Sequence, residues 1–180
     1  MREFDIVVFG ATSFVGRILC RYLLDTYGND GSRLRWAIAA RSAARLAELK
    51  HELDGAADGL PVIVADAADE TAMRSLAVRA KVVVSTVGPY ALYGEPLVKA
   101  CAETGTDYCD LTGEVQFIRR MIDAHHAEAQ RTGARIVHCC GFDSIPSDLG
   151  TFMLQEAMRA RHGVPLDAVH FFAGESRGGF

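Results

Sequence analysis

Lysine is nearly missing from this sequence. Lys50, Lys81 and Lys99 are all it holds, and none follows Tyr22, Tyr27, Tyr90, Tyr93 or Tyr108 by four places. A Tyr-x-x-x-Lys proton-transfer pair is therefore excluded. The five cysteines, Cys20, Cys101, Cys109, Cys139 and Cys140, are odd in number and include no Cys-x-x-Cys spacing. Neither a zinc site nor a disulfide framework is expected, and buried thiols in a reducing compartment are. His125 and His126 are adjacent, so on a helix they point in different directions and make no metal pair. No apolar run approaches the roughly 20 residues of a membrane span. The N-terminus has no basic stretch followed by an apolar signal core, so the expected location is cytoplasmic. With 19 scattered basic residues and a net charge of −4, no nucleic-acid partner is expected.

What is present is an apolar strand that runs without a linker into a small-residue turn and a helix: Asp5-Ile6-Val7-Val8-Phe9-Gly10-Ala11-Thr12-Ser13-Phe14-Val15-Gly16. Such a turn leaves the first N–H groups of the helix aimed at one spot, at the positive end of its dipole, where a pyrophosphate fits. The spacing is Gly10-x-x-Ser13-x-x-Gly16, a departure from Gly-x-Gly-x-x-Gly. Gly10 would permit the sharp turn and Gly16 close helix-to-strand packing, while Ser13 would offer its N–H and hydroxyl to a phosphate. The alternative is a plain strand–turn–helix corner.

Strand and helix patterns alternate throughout the 180 residues, the signature of an α/β doubly wound parallel sheet of Rossmann type. The first helix is expected to bury Val15, Ile18, Leu19, Tyr22 and Leu23. Strands follow at 34–39, 61–65, 81–85, 106–110 and 135–140. Ser42 and Asp69 are helix N-cap candidates, with Leu46, Leu49 and Leu53 on the inner face of the second helix and Gly55 and Gly59 after it. Pro96 and Pro146 can open further helices. The helix before Gly133 is expected to pack Ile118, Met121, Ile122, His125 and Ala129. A last apolar strand is read at 168–173. Residues 1–150 form the expected dinucleotide-binding domain, and 151–180 a helix and strand leading into a truncated substrate domain.

The second strand ends Ala39-Ala40-Arg41-Ser42, where a carboxylate would select a ribose 2′-hydroxyl. Arg41 offers a guanidinium fork to a 2′-phosphate instead, with Ser42 beside it, which favours NADP over NAD. Asp66, at the end of the third strand, could receive the adenine amino group, with a plain turn residue before the next helix as the equal alternative.

Four segments together resemble the saccharopine dehydrogenase-like oxidoreductases, and more narrowly their trans-acting enoyl reductases. They are 82–90 (Val82-Val83-Val84-Ser85-Thr86-Val87-Gly88-Pro89-Tyr90), Gly94-x-x-Leu97-Val98-x-Ala100-Cys101, the run Gly105-Thr106-Asp107-Tyr108-Cys109-Asp110-Leu111-Thr112-Gly113-Glu114, and 141–150 from Gly141-Phe142-Asp143-Ser144. The resemblance implies NADPH as reductant, a carrier-bound acyl substrate and a polyketide synthase as partner. It would place Gly10, Thr12, Ser13, Phe14, Val15, Gly16, Arg41, Ser42, Asp66, Ser85, Thr86, Val87, Gly88 and Pro89 against the cofactor. Strand-end loops surround the nicotinamide in such sheets, so Tyr90 and Tyr93 are candidate donors to a thioester carbonyl; the equal alternative for both is packing within the loop. A saccharopine-type amino-acid reductase and a non-catalytic NADP-binding sensor or scaffold are the alternatives.

Overall fold

A computed structural model of the chain describes residues 2–53 and 57–174. It divides into two compact units, Met1–Cys140 and Gly141–Phe180.

The first unit is built on six strands: β1 (Phe4–Phe9), β2 (Trp36–Ala40), β3 (Val62–Val64), β4 (Ala80–Ser85), β5 (Asp107–Asp110) and β6 (Ile136–Val137). They are parallel, in the order β3-β2-β1-β4-β5-β6. The chain leaves β1, crosses outward to β3, then returns to β1's other side at β4, so the strand order reverses between β1 and β4. A crevice opens beyond the carboxyl ends at such a reversal. Phe9 pairs with Ala39 on one side and Ser85 on the other, which brings the ends of β1, β2 and β4 to one level.

The connecting helices are α1 (Phe14–Tyr27), α2 (Ala43–Glu52), α3 (Glu70–Ala77), the single turn α4 (Tyr90–Tyr93), α5 (Glu95–Thr104) and α6 (Val115–Thr132). The sheet is covered on both faces. On one, Val8, Trp36 and Ile38 pack with Cys20 and Leu23 of α1 and with Leu46, Leu49 and Leu53. On the other, Val7, Phe9 and Val83 pack with Met73 and Leu76 of α3, Leu97 and Cys101 of α5, and Phe117 and Met121 of α6. The central strands are accordingly near-continuous apolar runs.

The caps fall where side-chain chemistry dictates. Ser42 Oγ accepts from Arg45 N–H at 3.3 Å, and Asp69 Oδ1 from Thr71 and Ala72 N–H at 2.9 and 3.0 Å. α5 has Pro96 in its first turn and ends on Gly105 in the left-handed region.

Several sequence expectations are corrected. α1 turns Gly16, Cys20, Leu23 and Leu24 inward and leaves Val15, Ile18 and Tyr22 exposed. Gly16 fixes this rotation, because a Cβ there would lie 2.2 Å from the Gly10 carbonyl oxygen. The helix can approach the turn only along its smallest residue. In α6, Phe117, Met121 and Ala129 are the buried positions and Ile122 is exposed. β6 is two residues long, and β3 three. Gly55 lies outside the described residues.

The second unit holds α7 (Ile145–His162), which has Pro146 in its first turn and ends on Gly163. The Gln155 side chain brackets the Leu166 backbone, donating to its carbonyl at 3.2 Å and accepting from its N–H at 2.9 Å. The expected strand at 168–173 is not formed. Its alternating apolar residues meet no neighbouring strand among the described residues, and a strand needs a ladder to satisfy its N–H and C=O groups. The remainder of the expected tail, 175–180, lies outside the described residues.

Candidate functional site

A cavity of about 300 Å³ opens at the carboxyl ends of β1 to β4. Its floor is Phe9, Gly10, Thr12 and Ser13 from the turn after β1. Ala40, Arg41 and Arg45 come from the end of β2 and the start of α2, and Ala65, Asp66 and Ala67 from the end of β3. Thr86, Val87 and Gly88 follow β4, and Tyr93 comes from α4.

The turn is held by a directed chain of hydrogen bonds. The Gly16 N–H donates to Ser13 Oγ at 3.0 Å, and Ser13 Oγ lies 2.9 Å from Thr86 Oγ1, which donates to the Gly10 carbonyl oxygen at 2.9 Å. A carbonyl only accepts, so the Thr86 proton goes to Gly10 and the Ser13 proton to Thr86. Ser13 N–H is also engaged, donating to Gly10 O at 2.8 Å. The expectation that Ser13 offers its N–H and hydroxyl to a phosphate is therefore corrected: both are spent on the turn. Among the described residues, the N–H groups of Thr12, Phe14 and Val15 have no partner. These remain for an anion, at the positive end of α1.

Gly10 is required by the same geometry. It has φ +88°, and a Cβ would sit 2.6 Å from Thr86 Oγ1. Both turn glycines thus answer to close backbone and side-chain contacts.

Across the cavity, Arg41 and Arg45 are exposed, and among the described residues no ion pair or hydrogen bond engages either guanidinium. Two unneutralised cations facing one cavity suit a phosphate monoester. Asp66 spends Oδ1 on the Ala68 N–H at 3.0 Å and keeps Oδ2. The orphan N–H groups and the two cations fit the phosphate groups of an NADP dinucleotide.

The structure brings Gly10, Thr12, Ser13, Arg41, Asp66, Thr86, Val87, Gly88 and Tyr93 to this cavity. It does not bring Ser42, Ser85, Pro89 or Tyr90 to its wall, nor the side chains of Phe14 and Val15, and Gly16 is on the buried face of α1 against the turn. Ser42 caps α2. Tyr90 is buried, and its hydroxyl donates to the Ser85 carbonyl at 3.0 Å and accepts from Leu111 N–H at 3.4 Å. Burial pushes its ionisation well above the ordinary phenol value. As a donor to substrate it is corrected, since its proton already has a partner. Tyr93 is half exposed on the cavity rim.

Sequence reasoning missed Glu114, Asp110 and His138 as individual residues. The Asp110 carboxylate is buried and takes four donors: the Tyr108 hydroxyl, His138 Nδ1, and the N–H groups of Thr112 and Cys139, at 2.9, 2.7, 3.1 and 3.3 Å. The signal lay in the segments already noted, where an acid ends β5 and a histidine follows β6. Beside them, burial pushes the Cys109 thiol up to about 12. All five cysteines are free, Cys20 and Cys101 buried and Cys140 exposed.

Among the described residues, no helix is long and apolar enough to cross a membrane, and no group of three potential ligands could hold a metal ion.

The chain is similar to known proteins over most of its length. A trans-acting enoyl reductase of Mycobacterium leprae is 51% identical over 153 residues, which is 85% of this chain and 36% of that protein. The trans-acting enoyl reductase of Mycobacterium tuberculosis is 50% identical over the same share. The chain thus spans little more than a third of these relatives' length. Among solved structures, apo saccharopine dehydrogenase (L-Glu forming) of Saccharomyces cerevisiae superposes with a TM-score of 0.66 at 19% identity, over 87% of this chain and 32% of that one. The Citrobacter triphenylmethane reductase complexed with NADP(H) gives 0.54 at 15% identity, over 87% and 54%. Both likenesses are of fold. Residues 6–137 match the family described as the saccharopine dehydrogenase NADP binding domain, and the chain belongs to that family.

Proposed function

We propose that this chain is the cofactor-binding part of an NADPH-dependent oxidoreductase, a trans-acting enoyl reductase that reduces an α,β-unsaturated acyl thioester. The observation that carries the cofactor reading is the cavity that gathers Arg41 and Arg45 with Thr12 at the start of α1, where among the described residues neither guanidinium and none of the N–H groups of Thr12, Phe14 and Val15 has a partner. The roughly 50% identity to proteins named trans-acting enoyl reductases supports the reaction. Residues 1–150 are read as the cofactor domain and 151–180 as the way into a substrate domain, which the greater length of the relatives accommodates.

On this reading the N–H groups of Thr12, Phe14 and Val15 would hold the pyrophosphate, Arg41 and Arg45 the 2′-phosphate, and Asp66 Oδ2 the adenine amino group. Thr86, Val87 and Gly88 would line the nicotinamide half. The cofactor, when bound, would supply hydride to the β-carbon of the enoyl thioester, and the α-carbon would take its proton from water. Tyr93, on the rim, would donate a hydrogen bond to the thioester carbonyl as negative charge develops there. The partner is a polyketide synthase that carries the acyl chain, in a reducing cytoplasm that keeps the five thiols free.

The test is NADPH oxidation by the intact protein with a panel of enoyl thioesters on a pantetheine carrier, set against imino and keto acids. Turnover confined to the enoyl panel is expected. Turnover with the imino or keto acids alone would make the protein an amino-acid reductase instead. Tight NADPH binding without any turnover would make it a sensor or scaffold.

A further inference from the structure

Glu114 stands at the N-cap position of α6 but makes no side-chain bond to that helix. Its carboxylate reaches 24 residues back along the chain. Oε1 accepts from Tyr90 N–H at 2.7 Å and Oε2 from Ala91 N–H at 2.8 Å. These are the first two N–H groups of α4, whose own N-cap, Pro89, supplies no side-chain bond. One acid thus leaves its own helix uncapped and caps the neighbouring turn with both oxygens. Charge-assisted bonds of this length are among the stronger ones a carboxylate makes to backbone.

What the clamp holds is the far wall of the cofactor cavity. The segment runs from Thr86 through Val87 and Gly88 into α4, which carries Tyr93 to the rim. Its other fastenings lead to the same place. The Tyr90 hydroxyl ties it to Ser85 O and Leu111 N–H, and the Arg120 guanidinium donates to Ala91 O at 3.2 Å. Gly94 closes it from behind, since a Cβ there would lie 2.6 Å from Phe117 Cζ. Glu114 is itself aimed by its N–H, which donates to Thr112 Oγ1 at 3.1 Å. Of these fastenings it is the one that bonds two consecutive amides of the segment.

We infer that Glu114 is a positioning residue for the nicotinamide half of the cofactor: it fixes the 87–93 segment through α4 without touching the ligand. The inference rests on the cofactor reading above. Arg41, Arg45 and Asp66 come from the end of β2, the start of α2 and the end of β3, so the adenosine half does not depend on this clamp.

The experiment compares two ligands by calorimetry on the intact protein. On the cofactor reading NADPH engages both sides of the cavity, whereas adenosine 2′,5′-bisphosphate reports the Arg41 side alone. Two variants are used. Glu114→Gln replaces one acceptor with an amide that faces the N–H it should bind. Glu114→Asp keeps the charge but is one methylene short, and aspartate at an N-cap can turn to cap α6 itself. NADPH affinity is expected to fall about tenfold or more in both variants, with adenosine 2′,5′-bisphosphate held within about twofold of wild type. The thermal midpoint of Glu114→Asp should match or exceed wild type, a split that a merely structural role would not give. Equal losses for the two ligands, or no loss for either, would overturn the assignment. Wild-type protein that binds neither ligand would overturn the cofactor reading, and this inference with it.

Discussion

Ser13 Oγ lies 2.9 Å from Thr86 Oγ1 across 73 residues of sequence, and the pair joins the turn after β1 to the end of β4. Ser13 is at once the N-cap of α1 and a donor to Thr86, so the turn's shape and its attachment to the neighbouring strand share one hydroxyl. Ser13→Ala is expected to cost about 1–2 kcal/mol of stability from the lost cap alone. Thr86→Val leaves the Gly10 carbonyl without that donor and should cost a further 1 kcal/mol or so. The double variant should lose less than the sum, because the single changes remove a shared bond. Urea denaturation of the four proteins measures the coupling.

Gly16→Ala is expected to be far worse. Its Cβ would meet backbone, not a flexible side chain, 2.2 Å from Gly10 O and 2.9 Å from both Ala11 Cα and Ala11 C. Helix and turn must separate, which moves the orphan N–H groups of Phe14 and Val15 out of register. NADPH binding should be abolished even where circular dichroism shows a folded protein.

At the other end of the cavity, Arg41→Ala should reduce NADPH affinity by the equivalent of about 1.5–3 kcal/mol, the worth of a charge-assisted hydrogen bond, and leave NADH affinity nearly unchanged. The loss should shrink as salt is raised, since both guanidinium groups are exposed and screened. Titrating the two coenzymes against both proteins decides it; equal effects on NADPH and NADH would remove Arg41 from the 2′-phosphate.

How much of this could be read beforehand follows from the range of the interactions. The strand–turn–helix of 5–16 and the caps at Ser42 and Asp69 depend on neighbours within a few residues, and they stand where the sequence placed them. The faces of α1 and α6 do not. Val15, Ile18 and Tyr22 fit a helical stripe as well as Cys20 and Leu24 do, and only the approach of Gly16 to Gly10 decides between them. For α6 the choice of Phe117 over Ile122 is made by Gly94, 23 residues away. In the site, Gly10, Arg41, Asp66 and Thr86 were legible because strand ends gather at a reversal of strand order. That Ser13 and Tyr90 spend their hydroxyls inside the protein was not: Thr86 meets Ser13 through the pairing of β1 with β4, and the Ser85 carbonyl meets Tyr90 through the path of the loop between them.

At the opposite end of the sheet, Asp5 bonds the Arg35 guanidinium at 2.9 Å and the Lys81 ammonium at 2.8 Å. The Arg35 side chain first, then Lys81, holds the carboxyl well below its ordinary value of 3.8. A carboxyl whose folded value is depressed stabilises the fold fully above that ordinary value, and the contribution is lost as pH falls toward the folded one. Asp5→Asn should therefore be less stable than wild type at pH 6, and the gap should narrow steadily below pH 4. Urea midpoints across that range test the sign; a gap that widens in acid would be the wrong direction.

Asp110 is buried at the carboxyl end of β5. Its four donors come from β5 itself, from the loop that follows and from the chain after β6, so one carboxylate binds the ends of two strands. Four donors fill the acceptor positions of the two oxygens, and His138 Nδ1 must carry its proton to be one of them. Asn at this position offers one oxygen and turns an N–H2 toward donors, leaving polar groups unpaired without creating a cavity. Leaving buried donors without their acceptor in this way is expected to cost about 1–3 kcal/mol or more. Because Asp110 lies beneath 111–114, the loss should be accompanied by faster amide exchange at Thr112 and Cys139, read by hydrogen–deuterium exchange. Wild-type protection at both amides in Asp110→Asn would show that the strand ends are held by something other than this carboxylate.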